Sequence, residues 1–363
     1  MKSFLFAASL AVSAFRANAE GRTYQVPSFS VSDLAIHGSA TTTELKDALY
    51  GNGIVAVTGI ENFDTIQSEA VRSYHQCVSV NENIKSYELE DGTKRSSLGV
   101  AVQGNNALPF EVSSDCSDFA YASSKLQTSV SSVSDAFLSS LDAVFGNRAA
   151  IKRKNAEEYT SISHALMSAN HLEHFHEYTA SESTSSLESV DWHTDTGLLI
   201  AFTPGVFFDD GKVVKADDDL FFVKLSNGET VRPVFPPNSL VFMVGEAMGK
   251  LIDSKLAAVP HSLKVNPVHD ERVWYGRMFL PPADAIFAEG MTFGDFRHEI
   301  ESGSASAHTK SIGCSGANDV VGTVQHRRQL QEPNCTLANE TACWRAVCCD
   351  HRFWQWRRIA IHE

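Results

Sequence analysis

The stretch Trp192-His193-Thr194-Asp195-Thr196-Gly197 is the most informative part of this 363-residue chain. It is followed at once by a short apolar run, residues 198–202, which is typical of a buried strand. Because side-chain direction repeats every two residues along a strand, His193 and Asp195 are predicted to point to the same face. An imidazole and a carboxylate placed in this way can hold two adjacent positions on a metal ion.

A third metal ligand has to come from elsewhere in the chain, and His261 is the best candidate. The sequence between Asp195 and His261 predicts a series of short strands and turns. These are the strand 220–225, the Asn227-Gly228 turn, the strand 230–235, the break at 236–238 and the strand 239–244. An Asn-Gly pair predicts a tight hairpin in which both central residues have positive φ. The chain therefore has room to return across a barrel, so that two imidazoles and one carboxylate could meet around one ion.

The remaining pattern predicts a mainly β protein with flanking helices. Many short strands joined by turns indicate an antiparallel sandwich or jelly roll. The other predicted elements are a helix over 41–51 that starts with a Thr41–Glu44 capping box, a strand over 54–58, helices over 64–75, 126–144 and 284–300, and a strand over 272–280. Residues 88–124 are rich in Ser, Gly and Asn, and they are predicted to be mostly loops.

The charge balance excludes several classes of partner. The formal net charge is -14, which argues against a nucleic-acid backbone or an anionic membrane as the main partner.

After the first apolar stretch, no run approaches the roughly 18 to 20 apolar residues that a membrane helix needs. The sequence also contains no GxSxG, HExxH or P-loop motif.

Both ends of the chain suggest the secretory route. Lys2, the apolar stretch 3–15 and Ala17-Asn18-Ala19 predict a signal peptide over residues 1–19, the alternative being a buried N-terminal helix. Four of the seven cysteines lie within residues 335–349, which favours a disulfide knot over a zinc knot, since no CxxC pair is present. Asn334 and Asn339 begin glycosylation sequons in the same tail. The chain is therefore predicted to be secreted or to reside in the secretory lumen.

The order of the motifs resembles the isopenicillin N synthase-like family of 2-oxoglutarate and Fe(II)-dependent dioxygenases. Members of that family carry a His-x-Asp, a distal His and an Arg about ten residues later, and they fold as a double-stranded β-helix, a form of jelly roll. The resemblance covers roughly residues 25–300 and is best from 190 to 282. It implies an N-terminal region over 20–160 that packs on a dioxygenase core and closing helix over 161–300. A linker over 301–330 and the Cys-rich tail over 331–363 would follow.

The resemblance also implies a set of site residues. His193, Asp195 and His261 match the iron ligands, and Arg272 matches the residue that binds the far carboxylate of 2-oxoglutarate. A buried carboxylate is best held by a bidentate, always-charged partner, which explains the arginine. With dioxygen as co-substrate, the implied reaction is oxidation, most often hydroxylation, of an unactivated C–H bond in a small molecule.

One departure from the family pattern affects the co-substrate. The family's Ser two residues after the Arg is Trp274 here, so a hydroxyl donor is lost. Tyr178 and Tyr275 are candidates to replace it, Arg277 is a weaker alternative to Arg272, and a different co-substrate is the other explanation.

Three histidines and two loop regions complete the predicted pocket. His171, His174 and His176 are read as pocket wall or as solvated strand positions, with a substrate role left open for His174 and His176. Loops near 88–124 and 179–190 would form the substrate pocket.

An aliphatic residue in place of the carboxylate ligand of the metal would suggest a halogenase. Asp195 argues against that activity.

Two other function classes stay open at this point. One is a secreted binding protein that kept the barrel and lost its activity. The other is an enzyme that uses the same three ligands with a different metal and without 2-oxoglutarate.

Overall fold

A computed structural model of the protein describes residues 22–89, 91–146, 151–180, 188–214 and 219–301. The predicted signal peptide, the Cys-rich tail and its two sequons lie outside these residues. Within the described ranges, no helix is both long and apolar enough to cross a membrane.

The described residues form twenty β-strands. In chain order these are β1 Thr23–Gln25, β2 Ser28–Ser30, β3 Ile54–Thr58, β4 Lys85–Glu88, β5 Lys94–Gln103, β6 Asn106–Ala107, β7 Ile151–Lys152, β8 Glu158–Tyr159, β9 Asn170–Thr179, β10 Val190–His193, β11 Leu199–Phe202, β12 Val206–Asp209, β13 Lys212–Val214, β14 Leu220–Lys224, β15 Thr230–Val234, β16 Leu240–Val244, β17 His261–Lys264, β18 Glu271–Phe279, β19 Ile286–Ala288 and β20 Met291–Thr292.

Seven α-helices accompany the strands. They are α1 Val31–Ile36, α2 Ser39–Gly51, α3 Phe63–Val78, α4 Ser117–Phe145, α5 Ile162–Met167, α6 Glu246–Leu251 and α7 Phe293–Glu301, with a short 3₁₀ turn at Ser114–Cys116. The prediction of a mainly β protein with flanking helices is confirmed.

Two sheets organise the fold. The smaller is five-stranded, in the order β1-β15-β14-β17-β10, and the larger is eleven-stranded, with the main path β2-β3-β16-β11-β18-β9-β5-β4. Side chains from both sheets line one common cavity, so the two sheets face each other across it. The larger sheet takes strands from both the 20–160 and the 161–300 regions, and β5 pairs directly with β9 along its whole length.

The long helix α4 covers the outer face of the larger sheet. Its apolar face, which includes Leu126, Val130, Val133 and Leu141, is buried, and Phe137 stacks on Phe242 of β16 at 3.9 Å between ring centroids. The helix ends at Phe145 and is followed by Gly146, whose φ is +56°. The opposite, inner face of the sheet lines the cavity.

The predicted hairpin between β14 and β15 is present, but its turn differs. The Leu225 amide donates to the Glu229 carbonyl at 2.9 Å, which closes a three-residue loop. Only Gly228, with φ +84°, takes the left-handed conformation, whereas both Asn227 and Gly228 were expected to do so. A three-residue loop with one left-handed glycine closes a hairpin equally well, because the extra residue relieves the second position.

Three predicted elements are wrong in extent. Helix α2 begins at Ser39 after Gly38, so Thr41 and Glu44 lie inside the helix and form no capping box. Residues 88–124 contain the ten-residue strand β5 and the start of α4 instead of mostly loops. The helix expected over 284–300 begins only at Phe293, because residues 286–292 form the β19–β20 hairpin.

A disulfide joins Cys77 at the end of α3 to Cys116 just before α4. Both cysteines are buried, at 3% exposure each. The cross-link fixes the two helices to each other where they cover the larger sheet.

His75 on α3 gives the fold a predictable pH dependence. Its Nδ1 lies 2.7 Å from Glu177 Oε2, and its ring stacks on Phe208. The hydrogen bond to Glu177 is the main cause that raises the pKa of His75 above 6.5, although burial opposes it. A raised pKa in the folded state means that this contribution to stability is complete below the unfolded pKa and is lost as pH rises through the folded pKa.

We therefore expect the free energy of unfolding of the wild type to exceed that of His75→Gln most at low pH. Urea denaturation of both proteins between pH 5 and pH 8.5 measures the difference. It should shrink as pH rises, and a difference that stays constant over this range would contradict the assignment.

Candidate metal centre

His193, Asp195 and His261 meet at one end of the smaller sheet. Strand β10 ends at His193 and strand β17 begins at His261, and the two residues are cross-strand partners with ring centroids 4.1 Å apart. Asp195 follows two residues after His193. One candidate ligand atom from each of the three side chains lies within 4.8 Å of the other two, and all three residues are buried. The structure thus brings together the three residues that the sequence analysis selected.

Backbone carbonyls fix the orientation of both imidazoles. His193 Nδ1 lies 2.7 Å from the Asp191 carbonyl, and His261 Nδ1 lies 3.0 Å from the Val259 carbonyl. A carbonyl oxygen can only accept, so Nδ1 carries the hydrogen in each ring and Nε2 keeps its lone pair for a metal. Burial lowers the pKa of His193 to about 3, with smaller contributions from His261 and Arg95. His193 is therefore neutral, as a metal ligand must be.

The environment of the Asp195 carboxylate favours a bound cation. It is 3% exposed, and its buried Oδ2 has no hydrogen-bond partner among the described residues. This Oδ2 lies 3.9 Å from His261 Nε2, a distance that is too long for a hydrogen bond. Burial accordingly raises the pKa of Asp195. An orphaned buried carboxylate oxygen beside two imidazole nitrogens is the donor set that suits a divalent transition metal such as Fe(II).

The turn after β16 holds the Asp195 segment in place. The Glu246 amide donates to the Asp195 carbonyl at 2.8 Å, and Thr194 Oγ1 donates to Glu246 Oε1 at 2.7 Å. A Cβ on Gly245 would lie 2.3 Å from the Gly197 carbonyl oxygen, so only glycine fits there. Gly245 and Glu246 lie in the range 190–282, where the resemblance to the family is best. Their role in positioning Asp195, however, follows only from these three-dimensional contacts.

The cavity beside the three candidate ligands is lined by both apolar and polar side chains. Its apolar lining includes Ile200, Phe202, Phe221, Met243 and Leu263, and its polar lining includes Arg95, His176, Tyr178, Thr203, Ser262, Arg272 and Trp274. The polar residues of the larger sheet lie in two rows across β5, β9 and β18. The first row is Arg95, Tyr178 and Arg272, and the second is Ser97, His176 and Trp274.

Arg272 lines the cavity, but its guanidinium already has a carboxylate partner. Its Nε and Nη2 donate to Asp219 Oδ1 and Oδ2, each at 2.9 Å. Arg95, which the sequence analysis did not select, lies in the same row and is 3% exposed. Two arginines therefore line the cavity where one was expected.

Tyr275 and Arg277 lie on the opposite face of the larger sheet, away from the cavity lining. Both donate to the carboxylate of Glu173, which is fully buried under α4 and also accepts from Gln127. Tyr275 is therefore not a hydroxyl donor to the co-substrate, and Arg277 is not an alternative to Arg272. Tyr178 does line the cavity, so it remains a candidate donor.

The three histidines of β9 are all buried, which rules out solvated positions. His171 is held by the Leu166 carbonyl and the Leu280 amide, each at 3.0 Å, so its role is structural. His176 lines the cavity, with Nδ1 2.6 Å from Ser97 Oγ. Burial lowers the pKa of His174 to about 3, and neither of its ring nitrogens has a hydrogen-bond partner within the described part of the chain.

Trp274 stands where the resemblance leads us to expect a Ser, and its indole N–H is a hydrogen-bond donor, as the Ser hydroxyl would be. Its indole Nε1 is buried and has no hydrogen-bond partner in the described ranges, and its ring lies 5.2 Å from that of His176.

Comparison with known structures identifies the fold. The dioxygenase for auxin oxidation 1 from Arabidopsis thaliana, in complex with 2-oxoglutarate, matches with a TM-score of 0.54 and 12% identity over 72% of this chain and 94% of its own. The rice dioxygenase for auxin oxidation matches at 0.50 and 16%, over 79% and 99% of the two chains. The chain has the fold of the 2-oxoglutarate/Fe(II) oxygenases. The double-stranded β-helix core predicted from the sequence is thereby confirmed.

A third solved structure with this fold comes from Neurospora crassa. This full-length protein, in complex with α-ketoglutarate and thymine, matches at a TM-score of 0.51 and 11% identity, over 71% of this chain and 86% of its own. Comparison of the sequence with protein-family models gives no match. Comparison with curated protein sequences gives none either.

Proposed function

We propose that the protein is a non-haem Fe(II), 2-oxoglutarate-dependent dioxygenase that oxidises an unactivated C–H bond of a small molecule, by hydroxylation. The observation that carries the proposal is the orphaned Asp195 carboxylate, buried beside two imidazoles whose Nε2 atoms are available as ligands. The shared fold adds support, because solved oxygenases of this fold hold 2-oxoglutarate or α-ketoglutarate.

The chain's own residues would divide the work of such a reaction. His193, Asp195 and His261 would hold the metal on one side and leave its other positions to ligands from the cavity. Bound Fe(II), with 2-oxoglutarate and dioxygen, supplies the oxidising chemistry itself. The apolar lining would keep water away and receive the carbon skeleton of the substrate, and the guanidinium groups would neutralise carboxylate charge.

The secretory route is part of the proposal. The Cys77–Cys116 disulfide supports it, because disulfides persist mainly in oxidising compartments. Mass spectrometry of protein collected from culture medium tests this, and a mature chain that begins at Glu20 is expected. A chain that keeps residues 1–19 and stays inside the cell would contradict it.

Succinate formation tests the reaction. The purified full-length protein should convert 2-oxoglutarate to succinate aerobically with Fe(II) and ascorbate, and the rate should fall to background when Fe(II) is removed by a chelator. The matched incubation replaces Fe(II) by Zn²⁺, which has no redox chemistry. Turnover of a substrate with Zn²⁺ and without 2-oxoglutarate would favour the other metal enzyme. Metal binding without any turnover would favour the binding protein.

A further inference from the structure

The contact between His176 and Ser97 fixes which nitrogen of the His176 ring carries a hydrogen. His176 Nδ1 lies 2.6 Å from Ser97 Oγ, and Arg95 Nε donates to the same oxygen at 3.3 Å. A guanidinium can only donate, so Ser97 Oγ is the acceptor in the contact with Arg95. The hydroxyl hydrogen of Ser97 then has one acceptor among the described residues, and that acceptor is His176 Nδ1.

The His176 imidazole is neutral. Burial lowers the pKa of His176 well below 6.5, and the neighbouring Arg95 and His174 lower it further. A neutral ring that accepts at Nδ1 carries its single hydrogen on Nε2. The hydrogen bonds from Arg95 to Ser97 and from Ser97 to His176 support this tautomer, because each donor polarises the next. His176 is therefore the opposite of the two metal-site imidazoles, whose Nε2 atoms keep a lone pair.

The Nε2–H of His176 is left for a molecule in the cavity. His176 lies on the inner face of β9 and lines the cavity, and within the described ranges only its Nδ1 takes part in a hydrogen bond. The residue is 3% exposed, and a buried N–H without an acceptor costs free energy. Phe202, Phe221 and Leu263 line the same cavity. The ring thus presents one neutral donor to a space with many apolar contacts.

We propose that His176 is a specificity-determining residue, which donates from Nε2 to a neutral carbonyl-type oxygen on a largely apolar substrate. This inference deepens the proposed function and rests on it. A neutral donor suits a neutral acceptor, whereas a carboxylate is held best by a guanidinium. The apolar side chains of the cavity would contact the carbon skeleton of the substrate. A molecule that brings an N–H group to this position would meet the N–H of His176 and would be rejected.

The tautomer of His176 can be measured directly. ¹⁵N NMR of the full chain with labelled histidine distinguishes Nε2–H from Nδ1–H, and the signals lost in His176→Phe assign the residue. We expect Nε2–H in the wild type. Ser97→Ala removes the hydroxyl donor, so a mixture of the two tautomers is expected there. A wild-type ring with Nδ1–H would overturn the inference, because its Nε2 would then be an acceptor.

Acetophenone and α-methylstyrene are matched probes for the proposed hydrogen bond. They have nearly the same shape, but the second has C=CH₂ in place of C=O. The full chain is loaded with Zn²⁺, which has no redox chemistry, and is saturated with 2-oxoglutarate, so that the probes report on the remaining space. The wild type should bind acetophenone about 5- to 15-fold more tightly, the effect of one neutral hydrogen bond. Ligand-observed NMR titrations give both Kd values.

The ratio of the two Kd values should respond to His176 alone. In His176→Phe the preference for acetophenone should disappear. His174→Phe is the matched control, because His174 is an equally buried residue of β9 that lies outside the cavity lining, and it should keep the wild-type ratio. If His176→Phe does not fold, Ser97→Ala keeps the imidazole. It should reduce the preference about twofold or more, because part of the population then presents a lone pair.

Several results would overturn the inference. A wild type that binds the two probes equally, or binds neither, is one of them, and a preference that survives in His176→Phe is another. A preference seen only without 2-oxoglutarate would assign the N–H to the co-substrate. None of these measurements needs turnover. A protein that forms succinate without the preference would therefore refute this inference alone, and the preference without succinate formation would refute the proposed function.

Discussion

Asp195→Ala should reduce succinate formation to background, at least about 1,000-fold below the wild type. The substitution removes the anionic member of the three ligands and leaves two neutral imidazoles, which bind Fe(II) too weakly to keep it in place. The measurement is aerobic succinate production with Fe(II), 2-oxoglutarate and ascorbate, together with the Fe(II) content of the protein after desalting. Equal turnover in the two proteins would remove Asp195 from the mechanism.

Two controls separate a lost ligand from a lost fold. Asp47→Ala removes an exposed carboxylate on helix α2 and should leave turnover unchanged. In the absence of metal, Asp195→Ala should be at least as stable as the wild type, because it removes a buried carboxylate oxygen that has no hydrogen-bond partner among the described residues. A variant that melts well below the wild type would mean that Asp195 has a structural role as well.

Arg277→Met should lower the free energy of unfolding by about 3–5 kcal/mol. Arg277 and Glu173 are both fully buried, and the guanidinium also donates to Asn105 Oδ1 at 2.8 Å and to Ser131 Oγ at 3.0 Å. Removing Arg277 leaves the Glu173 carboxylate buried without its cation, which is the costly way to break such a pair. Urea denaturation followed by circular dichroism measures the loss.

The double variant Arg277→Met/Glu173→Leu is the matched comparison. It replaces both charges by apolar groups, so it should recover much of the stability lost in the single variant. A double variant whose loss equals the sum of the two single losses would show that the buried pair contributes little interaction energy.

The three candidate metal ligands could be selected from sequence because their signal is local and ordered. His193 and Asp195 are separated by one residue next to an apolar strand, and His261 follows a hairpin whose turn residues are explicit. Each step needs only the two-residue period of a strand and the conformational needs of Asn and Gly. The structure adds the carbonyl partners that fix the two imidazoles, which no spacing rule could supply.

The same two-residue period could have separated the four candidates on β18. Arg272 and Trp274 differ from Tyr275 and Arg277 by an odd number of residues, so the two pairs must face opposite sides of the sheet. The pairing of Arg272 with Asp219 depends on tertiary structure, because 53 residues separate the two side chains.

Arg95 was missed because its strand was missed. Strand β5 begins with Lys94-Arg95-Ser96-Ser97, and Gly99 follows, so polar and small residues occupy positions where an apolar alternation would signal a strand. Arg95 and Ser96 are nevertheless buried, and Ser97 and Gly99 are half-buried, since β5 lies between β4 and β9. The sheet supplies the burial that the local sequence does not announce, as tertiary context often overrides strand propensity.

The placement of β5 has a consequence for how the protein is made. One wall of the cavity joins Arg95 to Tyr178 and Arg272, so distant parts of the polymer must pair before that wall exists. Such non-local pairing makes for slow folding, and a growing chain on the ribosome has no finished pocket until β18 has emerged. A fragment starting near residue 160 would leave β9 as a bare edge, open to aggregation. The cavity beside the candidate metal ligands is therefore complete only after all three strands have been synthesised.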